Sequence, residues 1–531
     1  MATGDSPSAQ TTVRAPASRT SDEHTASRGG DAKRRGARLR AQASISAKTL
    51  WTRLVAWLRA DLHGKRYAPF GLALALLTIL ALALYYSQTA VVVRDPDTPA
   101  YLAVAHHIAR QGKLVDDTRL PGYPLLLLIV FALAGRGNLL AVGVAQAVLF
   151  TLATLEVYAI VCLIARRAWL ACAVALLVGT NLRIISYVKP ILSEGLTLFL
   201  TVSLALAVVV FLQRPSQRGL WLVFACMLAL FMTRPEWMYL PVPLAAYLLL
   251  VAWRRGLTRR FLPHALGGVG AVYAVLALYI FGNFVVNGYA GVTYIQNLNL
   301  LGKVMEYHMQ NEAPARYAQI TQLINQHQAA HDNDPWHIAY PPLQRDHFAL
   351  AGRYAESIIL RHLGEFLSKS WALGVHTLHT AYPFHTFTPT GPLAPALLWL
   401  DGFSATTLGQ MYWLLVLAPF WWAIVALGVI AARVTPARRL LQQERLMGWS
   451  ARLNAIVSPQ RLIEMAELFG ALALLAVYDW ALTTLGGYVY FERLHAPFDP
   501  LLMIIVYGSA GLALLALTRI VGVIWRTRRQ Q

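Results

Sequence analysis

The residues best equipped for chemistry sit early, in VVVRDPDTPAYLAVAHHIARQGKLVDDTRLPGYPLLLL, residues 91–128. Asp95 and Asp97 are two carboxylates separated by one proline. A carboxylate can take a proton from an attacking hydroxyl or ligate a metal ion. It can also do no more than cap a helix and hold water. Thr98 or Asp97 can cap a helix whose first position is Pro99, where proline is favoured, and Gly112 suits its C-terminal end. On that helix Tyr101, Ala105 and Ile108 share one face, with His107 and Arg110 on another. Such a helix suits a membrane surface.

What carries this stretch follows from composition. Of 531 residues, 57% are apolar and 14% charged, against about 45–50% and about 25% in soluble domains. That excludes an ordinary soluble enzyme, a disordered chain and a disulfide scaffold. Runs of about 20 apolar residues span a bilayer. The chain has ten, at roughly 68–90, 139–164, 168–188, 195–212, 219–235, 237–253, 261–284, 409–432, 464–486 and 500–524. An eleventh apolar run, Tyr123–Ala134, is short and reads as interfacial or re-entrant. Cys162, Cys172 and Cys226 fall within spans and read as packing residues.

The net charge of +20 supplies orientation, because Lys and Arg gather in cytoplasmic loops. With both termini inside, residues 1–67 carry 13 basic and 5 acidic side chains, and the inside segments together carry +24. The remainder sums to −4. The charge therefore reports topology, and no nucleic-acid partner is expected. The reading is a multi-pass protein of the cell membrane, with loops 91–121 and 285–408 on the extracytoplasmic face. Residues 1–67 read as a basic, disordered tail with an amphipathic helix at 47–63. Residues 68–284 form a transmembrane core whose first outside loop is 91–135. Residues 285–408 are a large, mostly helical outside loop, with a polar helix near 313–330, an amphipathic stretch at 350–380 and an extended linker at 382–395. Residues 409–531 supply the last spans. An Asp-x-Asp site for a nucleotide sugar does not fit, because those donors are cytoplasmic.

The order of elements resembles a known family. One span is followed by an outside Asp, then Asp97 to Tyr101 as Asp-x-x-x-Tyr, a helix ending at Gly112, and Arg-Leu-Pro-Gly-Tyr-Pro at 119–124. Ser193-Glu194 lies at the outer end of a span, and Thr233-Arg234-Pro235-Glu236 at another. Glu492-Arg493-Leu494-His495-Ala496-Pro497 precedes Pro500-Leu501-Leu502, with Leu494 where the family has an aromatic and the second proline displaced by one. The chain resembles the GT-C fold glycosyltransferases, family 39 and the RgtA/B/C/D-like branch, which includes protein O-mannosyltransferases and the lipid A aminoarabinose transferase. The match is close over 68–250 and looser over 350–524.

The resemblance implies an all-α, GT-C-like membrane fold and inverting transfer from a polyprenyl-phosphate sugar to a lipid, glycan or protein acceptor. Asp97 aligns with the family's first-loop Asp as general base, with Asp95 second. A lipid phosphate leaves as an anion, which Arg can steady with a bidentate fork. Arg493 and Arg234, both at outer ends of spans, are the candidates. Arg119, Tyr123 and Tyr101 would contact donor phosphate or sugar. Glu194 would orient the acceptor or a divalent ion, Mg or Mn, and no cofactor is required by the reading.

Twelve of the 15 histidines fall in outside loops. His327, His331, Asp332, Asp334 and His337 have partial metal-ligand spacing, but Pro335 breaks the helix, and they read as a solvated loop, as do His376 and His379. Glu156 and Asp479 lie within apolar runs and keep a second function class open, a transporter or flippase for a lipid-linked glycan. A polymerase or ligase of the O-antigen type also fits the spans but leaves the early Asp loop unexplained.

Overall fold

The computed structural model describes residues 67–331, 335, 343–379, 383–384, 387–411, 413–417, 423, 459–488 and 491–530. The basic tail, the 47–63 segment, most of span 409–432, residues 433–458, and Asp332, Asp334 and His337 lie outside these. Residues Ala68–Gln531 form one compact unit. Among the described residues every regular element is helical.

The protein is a polytopic membrane protein. α1 (Tyr67–Ser87) leaves Leu72, Leu76, Ile79 and Leu80 more than half exposed. Such a surface is costly in water and matched to lipid. Six described helices are long and apolar enough to cross a membrane: Tyr67–Ser87, Leu139–Ala165, Glu194–Gln213, Thr258–Asn287, Ile463–Gly486 and Asp499–Thr518. Ala168–Gly179 and Leu182–Val188 together are also long and apolar enough, as a broken span or a re-entrant loop bent by 57°. The bend has a local cause. Asn181 accepts from the backbone N–H groups of Arg183 and Ile184, so it caps a new helix in mid-run. Shorter apolar helices cover Gly122–Ala134, Gln217–Thr233 and Pro241–Arg254. Pro235 and Pro241 hold the last two apart, with a 3₁₀ turn at Pro235–Tyr239 between them.

In chain order, α2 is Thr98–Gln111, α3 Gly122–Ala134, α4 Leu139–Ala165, α5 Ala168–Gly179, α6 Leu182–Val188, α7 Glu194–Gln213, α8 Gln217–Thr233, α9 Pro241–Arg254 and α10 Thr258–Asn287. α4 packs against α5 and α7, and α7 against α8. α2 and α3 fold onto this bundle around Tyr101, Ala105, Tyr123, Leu127 and Ile191. Gly112 closes α2 with a positive φ of 66°, as its sequence position suggests.

The 285–408 stretch builds a second core. α11 (Ile295–Glu306), α12 (Ala318–His331), α13 (Ala349–Arg361) and α14 (Leu363–His379) bury Leu298, Leu301, Met305, Tyr354, Ile358 and Phe366. The stretch expected at 350–380 is thus two helices, divided at His362. The extended linker stops short of Pro395, because α15 (Ala394–Gly409) begins there with proline in its first turn. The chain ends in α16 (Pro459–Gly486), α17 (Phe491–His495), α18 (Asp499–Met503) with a π turn at Ile504–Gly508, and α19 (Ser509–Gln530).

One close approach sets the site's geometry. A Cβ on Gly122 would lie 2.6 Å from the Met232 carbonyl oxygen and 2.7 Å from Thr233 Oγ1. Gly122 therefore lets the start of α3 touch the end of α8, one residue before Arg234. Gly122→Ala is expected to destabilise the protein by about 1–3 kcal/mol through overpacking. A lowered thermal-unfolding midpoint in detergent is the measurement.

Candidate functional site

The Asp95–Thr98 turn is wired internally. Asp95 Oδ1 accepts the Asp97 N–H at 2.9 Å, and Thr98 Oγ1 accepts the Asp95 N–H at 2.9 Å. Thr98 Oγ1 also donates to the Ile191 carbonyl at 3.1 Å, pinning the turn to the segment before α7. The capping expected of Thr98 or Asp97 does not occur: neither side chain accepts from the first turn of α2. Asp97 has helical backbone angles, and its carboxylate turns to the arginines instead.

Asp97 Oδ1 accepts from Arg119 Nη2 at 2.5 Å, and Oδ2 from Arg493 Nη2 at 2.8 Å. The Arg119 guanidinium also lies 5.0 Å from the Tyr101 ring centre, a cation–π arrangement. The Tyr101 hydroxyl meets Ser193 Oγ at 3.1 Å. Tyr123, expected to face the donor, is fully buried. Its hydroxyl donates to Gln146 at 2.6 Å, and its ring packs edge-on against Tyr101. It positions Tyr101 rather than opening to ligand.

Glu194 begins α7 and is 2% exposed. Its Oε1 accepts from Arg234 Nη2 at 2.8 Å and from Arg493 Nε. Its Oε2 has no hydrogen-bond partner among the described residues. Arg234 reaches Ser193 and Glu236, each at 3.4 Å. Tyr478 of α16 donates to the Glu236 carbonyl at 2.5 Å, tying that turn to the last spans.

Arg493 closes the cluster from α17. It touches Asp97, Glu194 and, through Nη1 at 3.5 Å, Asp95. Residues from four distant parts of the chain therefore meet: the first loop, the start of α7, the end of α8 and α17. Leu494 packs where a Cβ on Gly487 would come within 2.4 Å of its Cδ1. The site residues singled out in the sequence converge here, apart from the buried Tyr123. Glu236, Ser193 and Tyr478 complete it; the first two lie in the motifs, whereas nothing local marks Tyr478.

The two aspartates differ electrostatically. Burial pushes the Asp97 carboxyl up, but the Arg119 and Arg493 guanidiniums more than offset this and hold it below the usual carboxylate range. For Asp95 burial prevails over the Asp97 N–H and Arg493, and its carboxyl lies above that range. Arg493 loses by burial and gains more from Glu194 and Asp97, so its guanidinium is held firmly charged. Asp97 is also the more open, with a side chain 31% exposed against 11% for Asp95.

A divalent ion was one expectation at Glu194. The donor set does not fit it. Asp95, Asp97 and Glu194 converge on the Arg493 guanidinium, which takes the central position a divalent ion would need. Among the described residues the metal-like grouping lies elsewhere, at Glu312, His362 and Glu365. There Lys369 already pairs with Glu365 at 2.5 Å. Of the two carboxylates in apolar runs, Glu156 accepts from Ser203 at 2.9 Å, and Asp479 is 1% exposed.

No known family profile and no curated protein matches the chain. Among solved structures it is similar to the oligosaccharyltransferase AglB of Archaeoglobus fulgidus in complex with an inhibitory peptide and a dolichol-phosphate. Identity is 13% and TM-score 0.41, over 85% of this chain and 50% of that one. It is also similar to the Archaeoglobus fulgidus oligosaccharyltransferase in its apo form, and to that enzyme tethered through a disulfide to an acceptor peptide with the NVT sequon. In both cases identity is 13% and TM-score 0.34, over 86% of this chain and 56% of the other. The chain spans about half the length of the solved structures it matches.

Proposed function

We propose that the chain is a membrane glycosyltransferase, and that it moves a sugar from a polyprenyl-phosphate carrier to an acceptor hydroxyl on the extracytoplasmic face with inversion. The observation that carries this reading is the Asp97 carboxylate, partly open and held between Arg119 and Arg493. It pairs a proton acceptor with two forked cations, which is what this displacement needs.

The acceptor oxygen attacks the anomeric carbon as the bond from that carbon to the phosphate oxygen breaks. The electron pair leaves with the lipid phosphate, and the hydroxyl proton passes to Asp97. Asp97 between two guanidiniums is a weak base. Donor phosphate competes for Arg119 and Arg493, and loosening either pair raises the Asp97 carboxyl toward a more useful range. Arg234, itself paired with Glu236, holds Glu194, and Glu194 in turn aims Arg493.

The test supplies labelled sugar either on polyprenyl phosphate or on a nucleotide to the full chain in proteoliposomes. Label should leave the lipid donor for acceptor. Transfer from the nucleotide sugar alone would overturn the reading. Net movement of lipid-linked glycan without covalent product would point to the transporter class instead.

A further inference from the structure

The three guanidiniums of the Asp97 cluster are all met by carboxylates: Arg119 by Asp97, Arg493 by Asp95, Asp97 and Glu194, and Arg234 by Glu194 and Glu236. Two cations on the same chain segments are not. Lys189 follows α6 and is 3% exposed. Its Nζ donates to Thr89 Oγ1 and, at 3.4 Å, to the Tyr86 carbonyl, and lies 4.5 Å from the Tyr86 ring centre. Arg94 immediately precedes Asp95 and is exposed. Among the described residues neither has a carboxylate within ion-pair distance.

Both line one cavity of about 370 Å³, with Gln88, Thr89 and Thr388 as further polar groups and no acidic residue. An ammonium out of water without a counter-charge is unfavourable. Burial accordingly pulls Lys189 down to about 8, and an anion in the cavity would reverse that pull. The cavity also takes in Tyr85 and Gln88 around the C-terminal end of α1, the helix whose Leu72, Leu76, Ile79 and Leu80 are exposed for lipid. It adjoins the Asp97 cluster through the backbone: Arg94 and Asp95 are consecutive, and the Ile191 N–H donates to the Val93 carbonyl at 3.1 Å.

We propose that this cavity is a phosphate subsite, separate from the carboxylate–arginine cluster, that takes the phosphate head of a membrane lipid on Lys189 and Arg94. It rests on the glycosyl-transfer reading only in naming that lipid a polyprenyl phosphate. The lipid chain then runs along the exposed face of α1, and the lipid is the carrier phosphate without its sugar, because in that reading the donor's single phosphate meets Arg119 and Arg493.

The test uses the full chain in nanodiscs of zwitterionic phosphatidylcholine, with undecaprenyl phosphate, undecaprenol and inorganic phosphate as probes. Wild-type protein should bind undecaprenyl phosphate and not undecaprenol, and inorganic phosphate should compete weakly. Lys189→Met and Arg94→Gln should each weaken lipid-phosphate binding by about tenfold or more. Lys189→Met removes an uncompensated buried charge, so its unfolding midpoint should equal or exceed that of the wild type, and Arg94→Gln alters only an exposed side chain. Unchanged binding in both variants, or equal binding of undecaprenol, overturns the proposal. Inorganic phosphate competing as well as the lipid overturns the lipid as its source. Asp97→Asn run alongside separates the two claims. Its retention of transfer would remove Asp97 as the base, and a wild-type chain that moves no sugar from the lipid donor would sink the transferase reading; either leaves the cavity standing. Its loss of transfer, with Lys189→Met and Arg94→Gln binding like wild type, would sink the cavity alone.

Discussion

Asp97→Asn should reduce transfer by about 10²–10⁴-fold or more, the range in which a general base contributes. The amide keeps the volume and can still accept from one arginine, so the protein should reach the membrane and unfold near the wild-type midpoint. Wild-type turnover in this variant would sink the assignment. Asp95→Asn offers the contrast. Asp95 is less open, and its oxygen is committed to the Asp97 N–H, so its loss should loosen the turn and cost less. The pH profile distinguishes the two carboxylates. A base must be ionised to act, so activity falls as pH drops through its pKa. Asp97 is held below the usual range by Arg119 and Arg493, against the upward push of burial; Asp95 is raised, chiefly by burial. With Asp97 as base, the acid limb of kcat/KM, which reports the free enzyme, lies below the usual carboxylate range. A limb above that range would move the role to Asp95.

Much of this was legible in the sequence, for reasons that differ by element. Apolar runs at 139–164 and 195–212 became α4 and α7 because twenty apolar residues leave a chain few alternatives to a buried or lipid-facing helix. Pro99 and Gly112 bounded α2 through backbone restrictions that need no partner. The capping role did not follow, because Thr98 had a better use: its hydroxyl donates to the Ile191 carbonyl, a contact spanning 93 residues. The bend at Thr180–Asn181 was hidden inside an apolar run, although Asn181 was its local signal. Tyr123 looked like a ligand-facing aromatic because its motif lies beside the aspartates; only packing reveals that Gln146 claims its hydroxyl. Lys189 gave no signal either. A lone lysine after an apolar run reads as snorkelling, and its lack of a counter-charge appears only once its neighbours are placed.

Arg493 should be the other position of large effect, since one guanidinium holds three carboxylates. Arg493→Met leaves Asp95 without a guanidinium and leaves Glu194, at 2% exposure, with Arg234 alone. Removing one partner from a buried pair costs about 3–5 kcal/mol, so the unfolding midpoint should fall along with activity. Arg493→Lys keeps the charge but not the fork, and one ammonium nitrogen replaces the separate Nε and Nη2 that meet Glu194 and Asp97. It should fold, with transfer lowered by about tenfold or more, a loss of at least about 1.4 kcal/mol of transition-state stabilisation. The double variant Glu194→Gln with Arg493→Met separates holding from chemistry. Removing the buried negative charge should restore part of the midpoint, a coupling that a double-mutant cycle reads directly. Transfer should stay lost, because the leaving phosphate still lacks its cation. Recovery of transfer together with stability would mean that Arg493 only keeps the carboxylates apart, and that Arg119 alone steadies the departing phosphate.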